Sequence, residues 1–181
     1  MAHVVPVRKA LGVRTIFNFL GPLTNPAGAE RQLLGVSDRH YQETIAEALV
    51  GLGSVRALVV AAEDGVDELS ISARTRVIEV AEGSTEEWFV EMGDFGLATA
   101  ELEDVAGGSP EENAAVSRAV LAGEGGPQRD LVLLNAGAAI YLGGLAASLS
   151  EGVEKAAATI DSGAGAELLD RLIATTAQLA G

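Results

Sequence analysis

The most continuous apolar run in the chain is Ala57–Ala62 (Ala-Leu-Val-Val-Ala-Ala). It does not alternate with polar residues, so it predicts a strand buried on both faces, the pattern of a parallel sheet. Gln32–Val36 predicts a shorter strand before it. Between the two, Ser37 and Asp38 offer N-cap oxygens to a helix running to about Gly51. Ile45, Leu49 and Leu52 fall at helical spacing, and Gly51 or Gly53 would end that helix. Asp64-Gly65 marks a turn, and Val66–Ser72 follows it. Arg76–Val80 and Glu87–Met92 are further candidate strands.

The second half is helical in pattern. Ser109-Pro110-Glu111-Glu112 combines an N-cap serine, proline at the first helical position and glutamate at the third, which predicts a helix to about Ala122. Residues 130–147 are apolar nearly all round, the pattern of a central, buried helix. Further helices are expected over 151–160 and 165–179, and a short one over 1–14. Strands alternating with helices, then a helical run, predict an α/β fold with a largely parallel sheet flanked by helices.

Composition narrows the function classes. A hydrophobic share of 48% supports a packed core and excludes general disorder. There is no cysteine, hence no disulfide, thiolate metal site or cysteine nucleophile. No apolar run reaches the roughly 18 residues of a membrane span, and residues 1–12 lack the order of a signal peptide. A cytoplasmic protein is expected. A net charge of −14 disfavours nonspecific binding to nucleic acid. The first forty residues nevertheless carry five cations (Arg8, Lys9, Arg14, Arg31 and Arg39) against Glu30 and Asp38. Such a segment receives a small anion or pairs with acids elsewhere, and composition alone favours pairing.

Two segments carry candidate chemistry. Asp64-Gly65-Val66-Asp67-Glu68-Leu69-Ser70 follows the apolar strand, where ligands gather in open parallel sheets. Asp67 and Glu68 point apart in a regular strand but converge at a bend, and two hard oxygen donors suit magnesium carried by phosphates. Alone, the segment reads first as a solvated acidic turn. The other segment joins Arg8 to the loop Gly21-Pro22-Leu23-Thr24-Asn25-Pro26. A guanidinium holds a carboxylate through two parallel hydrogen bonds, and a Gly-Pro loop admits a flat ligand close to the backbone. Alone, this is as well an exposed helix end with a rigid connector. His3 and His40 have no partner in sequence that would make them bases. Ser37, Ser70 and Ser109 lack a nucleophile elbow, and Trp88 reads as packing.

Taken together, Val7–Pro26 resembles the signature of the anthranilate phosphoribosyltransferases, and Asp64–Ser70 is similar to that family's acidic metal motif. Leu133-Leu134-Asn135-Ala136 and the helix around it resemble the family's carboxyl-terminal region. The resemblance spans essentially the whole chain. It implies a catalytic domain like those of nucleoside phosphorylases and phosphoribosyltransferases, truncated at the N-terminus. Residues 1–30 would belong to the family's helical domain and 31–181 to an incomplete α/β catalytic domain.

The implied activity joins the amino group of anthranilate to C1 of phosphoribosyl pyrophosphate and expels pyrophosphate, a step of tryptophan biosynthesis. By the same resemblance Asp67 and Glu68 hold Mg2+, Arg8 binds anthranilate's carboxylate, Gly21 and Pro22 line its ring site, and the full-length enzyme is a homodimer. No catalytic residue is assigned. The family's Gly-Thr-Gly-Gly-Asp phosphate loop and Lys-His-Gly-Asn segment are not among these 181 residues. Met1 therefore reads as an internal methionine taken for a start, or the chain as a deliberate or natural fragment, and the chain alone is expected to be inactive or nearly so. Apolar surface on Ala57–Ala62 or on the 130–147 helix is expected to be left open. The alternatives are an enzyme like pyrimidine nucleoside phosphorylase, which the Gly-Pro-Leu-Thr-Asn-Pro loop with Arg8 argues against, and a non-catalytic domain that keeps a half-site.

Overall fold

A computed structural model describes residues 23–180. The expected helix over 1–14, and with it Arg8, Gly21 and Pro22, lies outside the described residues. Among these, the order is β1 (Arg31–Gly35), a 3-10 turn (Arg39–Tyr41), α1 (Gln42–Gly51), β2 (Arg56–Ala62), β3 (Thr75–Ala81) and β4 (Ser84–Val90). Two 3-10 turns (Met92–Phe95, Leu102–Val105) lead to α2 (Pro110–Leu121), α3 (Pro127–Leu142), α4 (Leu149–Asp161) and α5 (Ala164–Ala180). None of the described helices is long and apolar enough to cross a membrane.

The sheet is mixed, which corrects the expectation of a largely parallel one. The strands lie in the order β1-β2-β3-β4, with β1 parallel to β2 and both other pairings antiparallel. A parallel return needs a crossover, usually a helix. Residues 63–74 contain none, so the chain turns at the end of β2 and runs back as β3. β3 and β4 then join through Glu82-Gly83, both at positive φ (52° and 75°), as a tight two-residue hairpin requires. β2 is apolar throughout because both of its faces are covered, whichever way β3 runs. Ala57 and Val59 face α1 with Leu34, Ile45, Leu49, Ile78 and Val80. Leu58 and Val60 face α3 and α4 with Val77, Leu134, Ala138 and Val153. Val66–Ser72 forms no regular strand.

The local signals act where the chemistry requires. Ser109 accepts from the Glu112 N–H and Glu112 returns a bond to the Ser109 N–H, a complete capping box. Asp38 caps the 3-10 turn, not α1. The helix expected over 130–147 ends at Leu142 and is buried on one side only: Leu134 and Ala138 are in the core, while Val132 is exposed. The run Ala57–Ala62 is buried, so it leaves no open apolar surface. α3 and α4 cross at two glycines. A Cβ on Gly152 would lie 2.3 Å from the Gly137 carbonyl oxygen, and one on Gly137 would lie 2.7 Å from the Val153 nitrogen.

α3 is tied to the sheet by a polar network. Arg56 (β2) pairs with Glu79 (β3) at 2.7 Å, Trp88 (β4) donates to the same carboxylate at 3.2 Å, and Tyr141 (α3) donates to it at 3.1 Å. The Arg56 guanidinium lies 3.9 Å from the Tyr141 ring centroid and donates to its hydroxyl. Burial, followed by the negative charge of Glu79, pushes the Tyr141 phenol above its usual pKa. Arg31 adds a 2.7 Å bond to the Leu142 carbonyl at the end of α3. Glu79→Ala leaves a partly buried guanidinium unpaired and is expected to cost ~3 kcal/mol. Tyr141→Phe is expected to cost about 1 kcal/mol. Urea unfolding followed by the fluorescence of Trp88, the single tryptophan, measures both.

Candidate active site

Because β1 and β2 are parallel, their carboxyl ends meet at one edge of the sheet. The segment Glu63–Arg74 rises from that edge and carries Asp67 and Glu68. Its shape is fixed from three sides.

The first is β1. A Cβ built on Gly35 would lie 1.5 Å from the carbonyl oxygen of Asp67. The backbone of Asp67 therefore rests on the end of β1, in space that any side chain there would fill. The second is the loop itself. Asp64 accepts from the hydroxyls of Ser70 (2.5 Å) and Ser72 and from the Val66 N–H (3.1 Å), while Gly65 takes φ +88°. Ser70 Oγ in turn accepts from the Ser72 N–H, and the Ser70 N–H donates to Thr75 Oγ1 at 3.0 Å. The third is α3. The Asn135 side chain accepts from the Leu69 N–H at 3.1 Å and donates to the Leu69 carbonyl at 3.0 Å.

Within this frame Leu69 is fully buried, Glu68 is half-buried and Asp67 is exposed. The structure thus sets the two expected metal ligands side by side at a bend. None of the ion pairs among the described residues engages either of them; Arg39 pairs with Glu63 at 3.7 Å. The carboxylates of the loop are held in opposite senses. Burial works to raise the Asp64 pKa, but the bonds from Ser70, Ser72 and the Val66 N–H together outweigh it and hold the group below its ordinary value. Glu68 is pushed above the usual carboxylate range, by burial first and then by the charge of Asp67. A half-buried carboxylate beside another, its ionisation disfavoured by burial and by its neighbour's charge, is an environment that a divalent ion relieves. The donor set fits magnesium: both are hard oxygen ligands, and magnesium retains waters and substrate oxygens rather than demanding a full protein cage. The described residues hold no group of three or more potential metal ligands.

The other expected residues divide. Arg8, Gly21 and Pro22 lie outside the described residues, as does His3. His40 has its side chain 94% exposed and lies against Asp38 at 3.0 Å. Of the basic segment's cations, Arg39 pairs with an acid, Glu63, Arg31 donates to the Leu142 main-chain carbonyl, and Arg8, Lys9 and Arg14 lie outside the described residues. A cleft of about 260 Å3 lined by Leu23, Asn25, Gly28, Glu30, Leu52 and Ser54 opens at the other end of β1, away from the carboxylates. Sequence reading missed Gly35 and Asn135, whose contacts lie 32 and 66 residues away, and the Asp64–Ser70–Ser72 bonds, which are local but depend on how the loop folds back on itself.

Known proteins place this architecture. Residues 1–166 match the glycosyl transferase family, a/b domain, and the chain belongs to that family. Among its relatives, anthranilate phosphoribosyltransferase of Rubrobacter xylanophilus is 49% identical over 182 residues, a match spanning 100% of this chain and 53% of the relative. The crystal structure of anthranilate phosphoribosyltransferase from Thermus thermophilus superposes with a TM-score of 0.88 at 48% identity, over 96% of this chain and 51% of that one. The Saccharomyces cerevisiae anthranilate phosphoribosyltransferase in complex with PRPP and Mg superposes with a TM-score of 0.89 at 32% identity, over 98% of this chain and 52% of that one. The chain spans about half the length of the curated relatives it matches.

Two outcomes are expected. Gly35→Ala must displace the loop and is expected to cost at least ~1–3 kcal/mol, the range for overpacking, as a lower midpoint in thermal unfolding. Glu68→Gln is expected to do the reverse at neutral pH. Because the folded-state pKa of Glu68 is raised, its ionisation opposes folding above that pKa and ceases to matter below the unfolded-state value. Melting curves across pH should show the Gln variant more stable at pH 7 and the gain fading as the pH falls through the acidic range.

Proposed function

We propose that this chain supplies the cation-binding and anthranilate-binding half of an anthranilate phosphoribosyltransferase. The observation that carries the reading is the Asp67–Glu68 pair, uncompensated by any ion pair among the described residues and fixed at the carboxyl edge of parallel strands. The resemblance of the chain to the named relatives over nearly all its length supports the same reading.

In the reaction the amine nitrogen of anthranilate forms a bond to C1 of phosphoribosyl pyrophosphate while the bond from C1 to the pyrophosphate oxygen breaks; the amine loses one proton. Magnesium would neutralise charge on the departing pyrophosphate. Asp67 and Glu68 would orient that cation–pyrophosphate group. Arg8 would hold the carboxylate of anthranilate through a bidentate contact, and Gly21 and Pro22 would flank its ring. No covalent intermediate is required, so the absence of a cysteine and of a serine in an elbow is no obstacle. The contribution of this half is positioning and electrostatics at the charge that develops as the bond breaks.

The phosphate loop that the family resemblance places upstream is not among these residues. The chain incubated with phosphoribosyl pyrophosphate, Mg2+ and anthranilate is therefore expected to leave anthranilate fluorescence unchanged. Co-expression with the upstream half of the Rubrobacter relative should restore its decay. Robust turnover by the chain alone, or none by the reconstituted pair, contradicts the reading. In the active pair, Arg8→Ala should mainly raise the KM for anthranilate. Asp67→Asn with Glu68→Gln should depress kcat at least ~100-fold and shift the Mg2+ dependence, in the range for lost electrostatic stabilisation.

A further inference from the structure

Asn135 stands mid-helix in α3, where an asparagine is a poorer helix former than alanine. Its side chain accounts for its presence. Oδ1 accepts from the Leu69 N–H at 3.1 Å, and Nδ2 donates to the Leu69 carbonyl at 3.0 Å and to the Leu131 carbonyl at 3.1 Å. Both amide hydrogens and the oxygen are thus committed, and only this orientation of the amide satisfies all three partners. A flipped amide would set its NH2 against an N–H and its oxygen against two carbonyls.

Two of the bonds grip one residue from 66 positions away, as a neighbouring strand would. The Leu69 N–H belongs to the peptide that begins at Glu68. Beyond Leu69, the chain is taken over by Thr75 Oγ1 and by the Asp64–Ser70 bond; before it, Asp67 rests on Gly35. Asn135 is the one side chain of a helix in this set. α3 is itself fixed by the Gly137–Gly152 crossing two residues on and by Tyr141 and Arg31 at its end. The helix thus transmits a fixed reference point to the loop.

We propose that Asn135 is a positioning residue that sets the register and height of the Asp67–Glu68 pair for a divalent cation without touching the cation. This rests on the reading of Asp67 and Glu68 as the cation-binding pair. It goes further by assigning the affinity of that pair to an amide on α3. Groups outside the ligand set that orient it commonly change metal affinity 10–100-fold when removed.

The test is titration of the 15N-labelled chain with MnCl2, following paramagnetic broadening of its amide signals, alongside thermal unfolding. In the wild type, broadening is expected to centre on residues 65–69. Asn135→Ala should weaken the apparent affinity about ten-fold, the lower end of that range, with an unfolding midpoint lowered by the loss of the Leu69 bonds and only partly restored by alanine's preference for the helix. In the Asp67→Asn, Glu68→Gln background, Asn135→Ala should have no further effect on Mn2+ binding. Asn135→Gln keeps every hydrogen-bonding group but moves the amide by one methylene. It too should weaken binding while remaining folded, and it carries the test if the alanine variant does not fold. A purely structural role for Asn135 gives Gln full rescue of Mn2+ affinity. Wild-type broadening at the loop with affinity unchanged in either folded variant overturns the proposal for Asn135 and leaves the pair's role intact. Wild-type broadening absent from the loop overturns the cation reading of Asp67 and Glu68, and the proposal with it.

Discussion

The carbonyl oxygen of Asp67 occupies the space that a side chain on Gly35 would fill, and the rest of the site depends on that contact. β1 can end beneath the loop only because it ends in glycine. The contact brings the acidic loop over the carboxyl ends of β1 and β2, the edge at which ligands gather in parallel sheets. Everything else that shapes the loop works against this seat. Asp64 draws Ser70 and Ser72 inward, Leu69 enters the core, and Asn135 fixes the peptide between Glu68 and Leu69.

The loop separates two kinds of carboxylate by environment alone. Asp64 is surrounded by donors and is held ionised, so it stabilises the fold above the ordinary carboxyl range and loses that contribution as the pH falls through its lowered pKa. Glu68 is half-buried beside Asp67, no ion pair among the described residues engages it, and its ionised form opposes folding. A fold selected for stability alone would pair or replace Glu68. Local conflicts of this kind mark functional positions, where the strain is offset by a ligand. The same division runs through the molecule. The Arg56–Glu79–Tyr141 network at the far end of the sheet is fully partnered and serves to hold α3. At the candidate site, no ion pair among the described residues engages Asp67 or Glu68.

Much of the fold was legible in the chain. The apolar run Ala57–Ala62 placed the central strand, the Ser109-Pro110-Glu111-Glu112 box placed α2, and the family resemblance agreed with the match to the glycosyl transferase a/b domain. The direction of β3 was not legible. A run buried on both faces reports that two layers cover it, and α1 and α3 do so whether its neighbour runs up or down. The end of the helix expected over 130–147 was overshot because Gly143 and Gly144 stop it inside an apolar stretch that continues into the next turn. At the candidate site, Asp67 and Glu68 were singled out by their motif. Gly35 and Asn135 were not, because a glycine in a strand and an asparagine in a helix have no local pattern; their reasons lie 32 and 66 residues away.

In the proposed reading, Asp67 and Glu68 form one cation-binding edge shaped by Gly35, Asp64 and Asn135. Its most direct test is a crystal structure of the chain, joined with its upstream half and grown with MnCl2 and phosphoribosyl pyrophosphate, with data collected at the manganese absorption edge. The account expects an anomalous peak within coordination distance of an Asp67 or Glu68 carboxylate oxygen and of the pyrophosphate. A structure with substrate bound, in which both carboxylates are paired with lysine or arginine side chains and the anomalous peak lies elsewhere, would contradict it.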